Sequence, residues 1–247
     1  MKQLLRNLLR KIGYDLFKHD ARYHEVFSRR ALLERHGDLI VLDVGANRGQ
    51  FGIELREYGF EGKIISFEPL SAAHEKLTRA AAGDDDWIVA ERAAIGDEPG
   101  EAEINVSGNS VSSSLLPLEQ IHLDIAPCSA YVGKEKVEVK RLDEAVKPYA
   151  ADGAKFYLKA DTQGFERHVL EGAAGILADC EAIELELSCI PTYTGCMLFG
   201  EGFDYLRERG YRLYSTYYVL QDRQSGEMLQ MNAFFTRENG HLTADEN

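Results

Sequence analysis

The stretch VLDVGANRGQF, residues 41–51, constrains the chain more than any other. An apolar run reaches Asp43, Gly45 and Gly49 bracket a short polar turn, and an amphipathic segment follows. That order describes a strand, a tight loop and a helix N-terminus, the place where α/β proteins gather backbone N–H groups around a nucleotide. A dinucleotide fingerprint would read G-x-G-x-x-G, but Asn47 stands where its second glycine belongs. Arg48-Gly49-Gln50 likewise lacks the Lys-Ser/Thr ending of a phosphate loop. The turn therefore suits a nucleoside ligand without a pyrophosphate.

S-adenosylmethionine fits that description, since its amino-acid end needs close backbone approach and its ribose needs an acceptor. Glu68 supplies one at the end of the next apolar run, KIISFEPL, where nucleotide folds carry a ribose-binding carboxylate and Pro69 stops the strand. Asp43, Gly45, Ala46, Asn47, Gly49, Gln50, Phe51, Glu68 and Pro69 are thus expected to form the cofactor site. Asp43 would orient the loop or meet the methionine ammonium through water; capping a turn is its ordinary alternative.

Hydrophobic periodicity extends the pattern. LIVLDVG, KIISFEPL, WIVAERAAIG, VEVKRL, KFYLKAD and AIELELS read as strands, with EAEINVSG a short extra one. Between them, NRGQFGIELREYG reads as a helix ended by Gly59, SAAHEKLTRAAAG as a helix capped by Ser71, and GFERHVLEGAAGIL as a third. FDYLRERG then precedes two strands around DRQSG, an antiparallel hairpin. Alternating β and α units with a closing hairpin predict an α/β fold whose sheet is mostly parallel. The expected divisions are a helical segment over 1–37, one domain over 38–238 and a frayed tail over 239–247. Residues 107–135 read as a loop-like insert.

Charge narrows the partners. A net charge of -13 argues against nucleic acid, which wants clustered Lys and Arg. The N-terminal 35 residues run the other way, with nine Lys/Arg against four Asp/Glu. There Leu4, Leu5, Leu8, Leu9 and Ile12 share a helical face, which either packs across the domain or rests on an anionic membrane face or a partner. Cys128, Cys180, Cys189 and Cys196 form no CxxC pair or zinc-spaced set, and read as reduced thiols of a cytoplasmic protein. No run approaches a membrane span.

VLDVGANRGQF, SFEP, AAIGD, SVSSSLLP and LKADTQGFERHVLEGA, in this order, resemble the FkbM family of S-adenosylmethionine-dependent methyltransferases over residues 38–236. The resemblance implies a class I methyltransferase, Rossmann-like fold: a seven-stranded sheet, helices on both faces and a C-terminal antiparallel hairpin. It also implies O-methylation of hydroxyls, on macrolides or on sugars of bacterial glycans. It places Ala93 and Ala94 against the adenine, makes Asp161 the functional acid, and makes residues 107–135 a substrate lid. Ala160 departs from the bulkier aliphatic residue usual in relatives.

Methyl transfer requires the acceptor oxygen to be held in line with the sulfonium methyl and relieved of its proton. Beyond the carboxyl ends of the strands, Asp161, Glu184 and Glu186 are the available acids. Asp161 is the first choice, against a helix N-cap role for it or Thr162. Glu186 could join it around a divalent metal, which is not favoured, or take a salt bridge from Lys159 or Arg212. His168 is a further candidate base and His122 a weaker one. Ser112, Ser113, Ser114 and Gln163 could meet a polyhydroxylated substrate, and Tyr193 could provide a platform for a sugar ring. The rival functions are a nicotinamide-dependent oxidoreductase and a non-catalytic module that binds the cofactor.

Overall fold

The computed structural model describes residues 2–14 and 24–237. The expected tail beyond residue 238 lies outside them, as does part of the N-terminal segment. The chain runs α1 (Lys2–Lys11), α2 (Glu25–His36), β1 (Leu39–Val44), α3 (Gln50–Glu57), β2 (Ile64–Phe67), α4 (Ser71–Ala81) and β3 (Trp87–Val89). It continues with β4 (Ala94–Ile95), β5 (Gly100–Ser107), α5 (Gln120–Ile125), β6 (Tyr131–Lys140), α6 (Leu142–Ala145), β7 (Lys155–Ala160) and α7 (Glu166–Gly172). β8 (Cys180–Ser188), α8 (Phe199–Arg207), β9 (Tyr211–Gln221) and β10 (Met228–Arg237) complete it.

The seven-stranded sheet has the order β3-β2-β1-β7-β8-β10-β9. β10 alone runs against its neighbours, pairing antiparallel with both β8 and β9. The chain builds outward from β1 to β3, then returns to lay β7 on the other side of β1. That reversal opens a crevice beyond the carboxyl ends of β1 and β7, the place where open α/β sheets bind ligands.

Strand alternation gives the sheet two unlike faces. Leu42, Val44, Leu158, Ala160, Ile183 and Leu185 belong to an apolar core beneath α7 and α8. The opposite face carries Val41, Ile64, Tyr157, Ala182 and Phe234, packed with Leu32 and Leu33 of α2 and Leu55 of α3. At one level of that second face the register sets polar residues side by side: Ser66 beside Asp43, Asp43 beside Lys159, and Lys159 beside Glu184. All four are buried, so each must find a polar partner within the row or from the covering helices.

Several local expectations change. WIVAERAAIG divides, with β3 in the main sheet and β4 in a separate three-stranded sheet of order β4-β6-β5. The VEVK of VEVKRL therefore forms the end of the ten-residue β6 in that smaller sheet, and Leu142 already opens α6. Residues 131–135, expected as loop, are strand, because β6 pairs antiparallel with β5 back to Tyr131. Ser71 is not an N-cap: Leu70 precedes the helix, no side chain caps it, and the Ser71 N–H donates to Glu135 Oε1 at 3.0 Å. α7 stops at Gly172, short of the predicted helix, and its last residue passes so close to the Gly96 backbone that a Cβ there would collide with it. The packing of the first helix across the domain also fails, because Leu4, Leu5, Leu8 and Ile12 are all exposed.

Candidate active site

A cavity of about 300 Å³ opens at the crevice. Its wall includes Gly45, Ala46, Asn47, Gln50 and Phe51 of the glycine turn and α3, Glu68 and Pro69 after β2, and Ala93 and Ala94 at β4. Asp161, Gln163, Glu184, Glu186, Ser113, Arg29 and Lys159 also line it. Thus most of the expected cofactor residues come together. Asp43 and Gly49 lie behind the wall: Asp43 is fully buried, and Gly49 packs against Leu77 and Trp87.

The turn is fixed by backbone chemistry. Gly45 has φ +79, and a Cβ there would overlap the carbonyl oxygen of Asp161, so the loop lies directly on the end of β7. Asn47, with φ 46, donates its N–H to Glu68 Oε2 at 2.8 Å. Glu68 Oε1 accepts the Leu70 N–H, also at 2.8 Å. The acid thereby ties the turn to the end of β2, while each oxygen keeps a lone pair for a further donor. Burial outweighs these amide bonds and pushes the Glu68 carboxyl up to about 7.

Beneath the turn, Lys159 Nζ lies 3.2 Å from Asp43 Oδ1 and 3.8 Å from Asp161 Oδ2, and donates to the Gly45 carbonyl at 3.3 Å. Burial opposes its charge, but the carboxylates of Asp43, Asp161 and Glu184 prevail and raise the ammonium's pKa. Lys159 is therefore a fixed cation and not a base. Asp43 also accepts from Ser66 Oγ at 3.2 Å, so its part is to anchor the lysine and the strand row, and no loop N–H reaches it. At the far end of the row, Arg29 of α2 donates to both oxygens of Glu184, at 2.9 and 2.7 Å, and reaches Glu54 and Glu25 as well. Tyr157 adds a hydroxyl bond to Glu184 at 2.6 Å.

Asp161 and Glu186 meet through Gln163. The amide Nε2 donates to Asp161 Oδ1 at 2.7 Å and to Glu186 Oε1 at 2.6 Å, while Gln230 donates to the same Glu186 oxygen at 3.1 Å. The amide oxygen accepts the Tyr193 hydroxyl at 2.6 Å, which fixes its orientation. Burial first, then Asp161 and Glu166, raise the Glu186 carboxyl well above its usual range. Neither Lys159 nor Arg212 forms the expected ion pair with it. The contact between the two acids is an amide donor held in place by Tyr193. This donor set does not fit a metal cage, which would need oxygen lone pairs converging on the same point.

Other expectations are corrected. Neither Asp161 nor Thr162 caps α7; Glu166 Oε1 instead accepts from the Thr162 and Gly164 N–H groups at 2.9 and 3.2 Å. His168 does not line the cavity: it stacks on Phe165 at 4.0 Å and sits 2.9 Å from Asp97, because its face of α7 turns toward the loop after β4. Asp97, His168 and Glu171 are the three possible metal ligands that converge among the described residues, away from the cavity. Tyr193 offers no platform, being fully buried. Ser112 and Ser114 are buried too; Ser112 meets Ser129 at 2.9 Å, and Ser114 donates to the Gln163 carbonyl at 2.7 Å. His122 is likewise buried and lies 3.1 Å from Ser129 Oγ.

Lys159, Glu166 and Arg29 were not among the expected site residues. The sequence held one faint signal for the first: a lysine inside an apolar strand, two residues ahead of Asp161. Arg29 gave none, since α2 reaches the cavity only through tertiary packing.

A crevice at this switch point, a glycine turn tied to a buried acid, and a mostly parallel sheet closed by an antiparallel hairpin define a class I methyltransferase fold. The Methyltransferase FkbM domain matches residues 43–213, and the chain belongs to that family. Methyltransferase sdnD of Sordaria araneosa is 26% identical over 219 residues, 76% of this chain and 83% of the relative. Among solved structures, an rRNA methylase from Streptococcus thermophilus aligns with 90% of this chain and 98% of its own, at 12% identity and a TM-score of 0.46. Aeropyrum pernix fibrillarin, in complex with natively bound S-adenosyl-L-methionine, aligns with 85% of this chain and 74% of its own, at 12% identity and a TM-score of 0.46.

Proposed function

We propose that this methyltransferase moves a methyl group from S-adenosylmethionine to a hydroxyl of an uncharged, sugar-like acceptor. The observation that carries the reading is one cavity lined by the Glu68 carboxylate at the glycine turn and by Asp161 and Glu186 beyond β7 and β8. Glu68 suits the ribose hydroxyls, which donate to its remaining lone pairs. Ala93 and Ala94 offer a small apolar surface for an adenine ring. The carboxyl-rich wall suits a cationic ligand: Glu25, Glu54, Glu68, Asp161, Glu184 and Glu186 line the cavity against only Arg29 and Lys159. Both cations are already matched with carboxylates.

When bound, the cofactor supplies a methyl group already activated on a sulfonium. The protein's task is then to orient the acceptor oxygen and take its proton. Asp161 stands at the cavity wall with one oxygen held by Gln163, which leaves the other for the acceptor hydroxyl. Lys159 keeps the acid in place and compensates charge beneath it. Ser113, with Ser110 and Val111 on the same wall, supports a role for this segment in closing over the acceptor. An acceptor bearing phosphate or carboxylate near the reacting hydroxyl would meet unbalanced acids. The free thiols support a reducing, cytoplasmic setting.

Calorimetry with S-adenosylhomocysteine and radiolabelled methyl transfer to matched neutral and phosphorylated saccharides test this reading. Cofactor binding with labelling of the neutral member is expected. An enzyme that leaves the product uncaptured and labels neither member would end the proposal.

A further inference from the structure

α1 is a ten-residue helix that turns apolar side chains to solvent: Leu4 is 77% exposed, Leu5 50% and Leu8 62%, and Ile12, in the turn just past its end, is 66% exposed. Their spacing keeps them on one face, so the exposure is a stripe and not scattered positions. A helix this short is marginal in water unless something covers such a stripe. Nothing among the described residues does.

The helix is also chemically unlike the rest of the chain. Residues 1–14 carry Lys2, Arg6, Arg10 and Lys11 and no acid, in a protein of net charge -13. Everything after them is therefore more acidic than the whole. An anionic surface would repel that body and attract this one element. Nucleic acid would use the cations and leave the leucines uncovered, whereas a bilayer interface takes both: headgroup phosphates meet the Lys and Arg side chains and the acyl boundary takes the leucines. No helix among the described residues is long and apolar enough to cross a membrane, so the contact lies along the surface.

We propose that α1 docks the protein peripherally on anionic lipid, its Leu4, Leu5, Leu8 and Ile12 stripe seated at the headgroup–acyl boundary. This contact is independent of the cavity and of the acceptor proposed above.

The test uses the full chain and sucrose-loaded vesicles, either phosphatidylcholine alone or mixed with phosphatidylglycerol. Sedimentation with the mixed vesicles should exceed that with the neutral ones by about tenfold and fall away in about 0.5 M salt, where screening shortens to a few ångströms. The double variant Leu4→Glu/Leu8→Glu should lose vesicle binding with an unchanged thermal midpoint, since neither side chain is packed in the domain. Retained binding by that variant, or equal binding to both vesicle types, overturns the proposal. So does a wild-type chain that ignores lipid and dimerises through α1, as measured by ultracentrifugation of both forms; the stripe would then belong to a second copy.

Discussion

Replacing Gly45 by alanine tests whether the glycine turn and the acid at the end of β7 are mechanically one unit. Two penalties act at Gly45. Its φ of +79 disfavours any residue with a Cβ, by about 1–2 kcal/mol. The added Cβ would also overlap the Asp161 carbonyl oxygen, and backbone cannot swing aside as a side chain can. Forced shifts of this kind cost about 1–3 kcal/mol more, for a total of about 2–5 kcal/mol. Gly59, with φ +83 and nothing within 4 Å of its Cβ position, is the matched control, because it meets only the first penalty. With a urea slope of about 3 kcal/mol per M, Gly45→Ala should lower the unfolding midpoint by about 1 M and Gly59→Ala by about half as much or less. The same shift moves Asp161 relative to the turn, so turnover should fall by about 100-fold in the Gly45 variant alone. Equal midpoint shifts for the two variants would refute the reasoning, since the close approach to β7 would then be without consequence.

Other outcomes follow from the charges. Glu68, raised to about 7, stabilises the fold most below its ordinary value of 4.5 and loses that contribution as pH climbs through about 7, because the unfolded chain releases the proton first. The ribose role proposed for Glu68 needs the ionised form, so affinity for S-adenosylhomocysteine should rise through the same window, and calorimetry on Glu68→Gln should show a weak, flat dependence. Arg29→Ala strands the buried Glu184 carboxylate and should lower stability by about 3–5 kcal/mol, while Arg29→Met with Glu184→Leu should recover most of it in urea titrations. Asp161→Asn should bind S-adenosylhomocysteine normally yet lose about 10²–10⁴ in methyl-transfer rate; unchanged turnover would reject its assignment as base.

The turn over Gly45–Gly49, the acid at 68 and the closing hairpin were legible because each is written in contiguous residues whose spacing matches one local geometry. Strand alternation alone puts Glu184 and Glu186 of β8 on one face, since it requires no knowledge of neighbours. Whether His168 and Tyr193 face the cavity is not written locally, because direction depends on what packs around an element: one turns to Asp97, and the other is buried with its hydroxyl on Gln163.

The sequence by itself determined the order of strands and helices, the position of the glycine turn and the acids available at strand ends, all functions of local periodicity. Only the tertiary structure decided which of those acids meet. Asp43, Lys159 and Glu184 become one row through strand register, Arg29 joins it from a helix 155 residues away in sequence, and Gln163 clamps Asp161 to Glu186. Register and helix packing are set by the whole core at once, so no stretch of the chain records them alone.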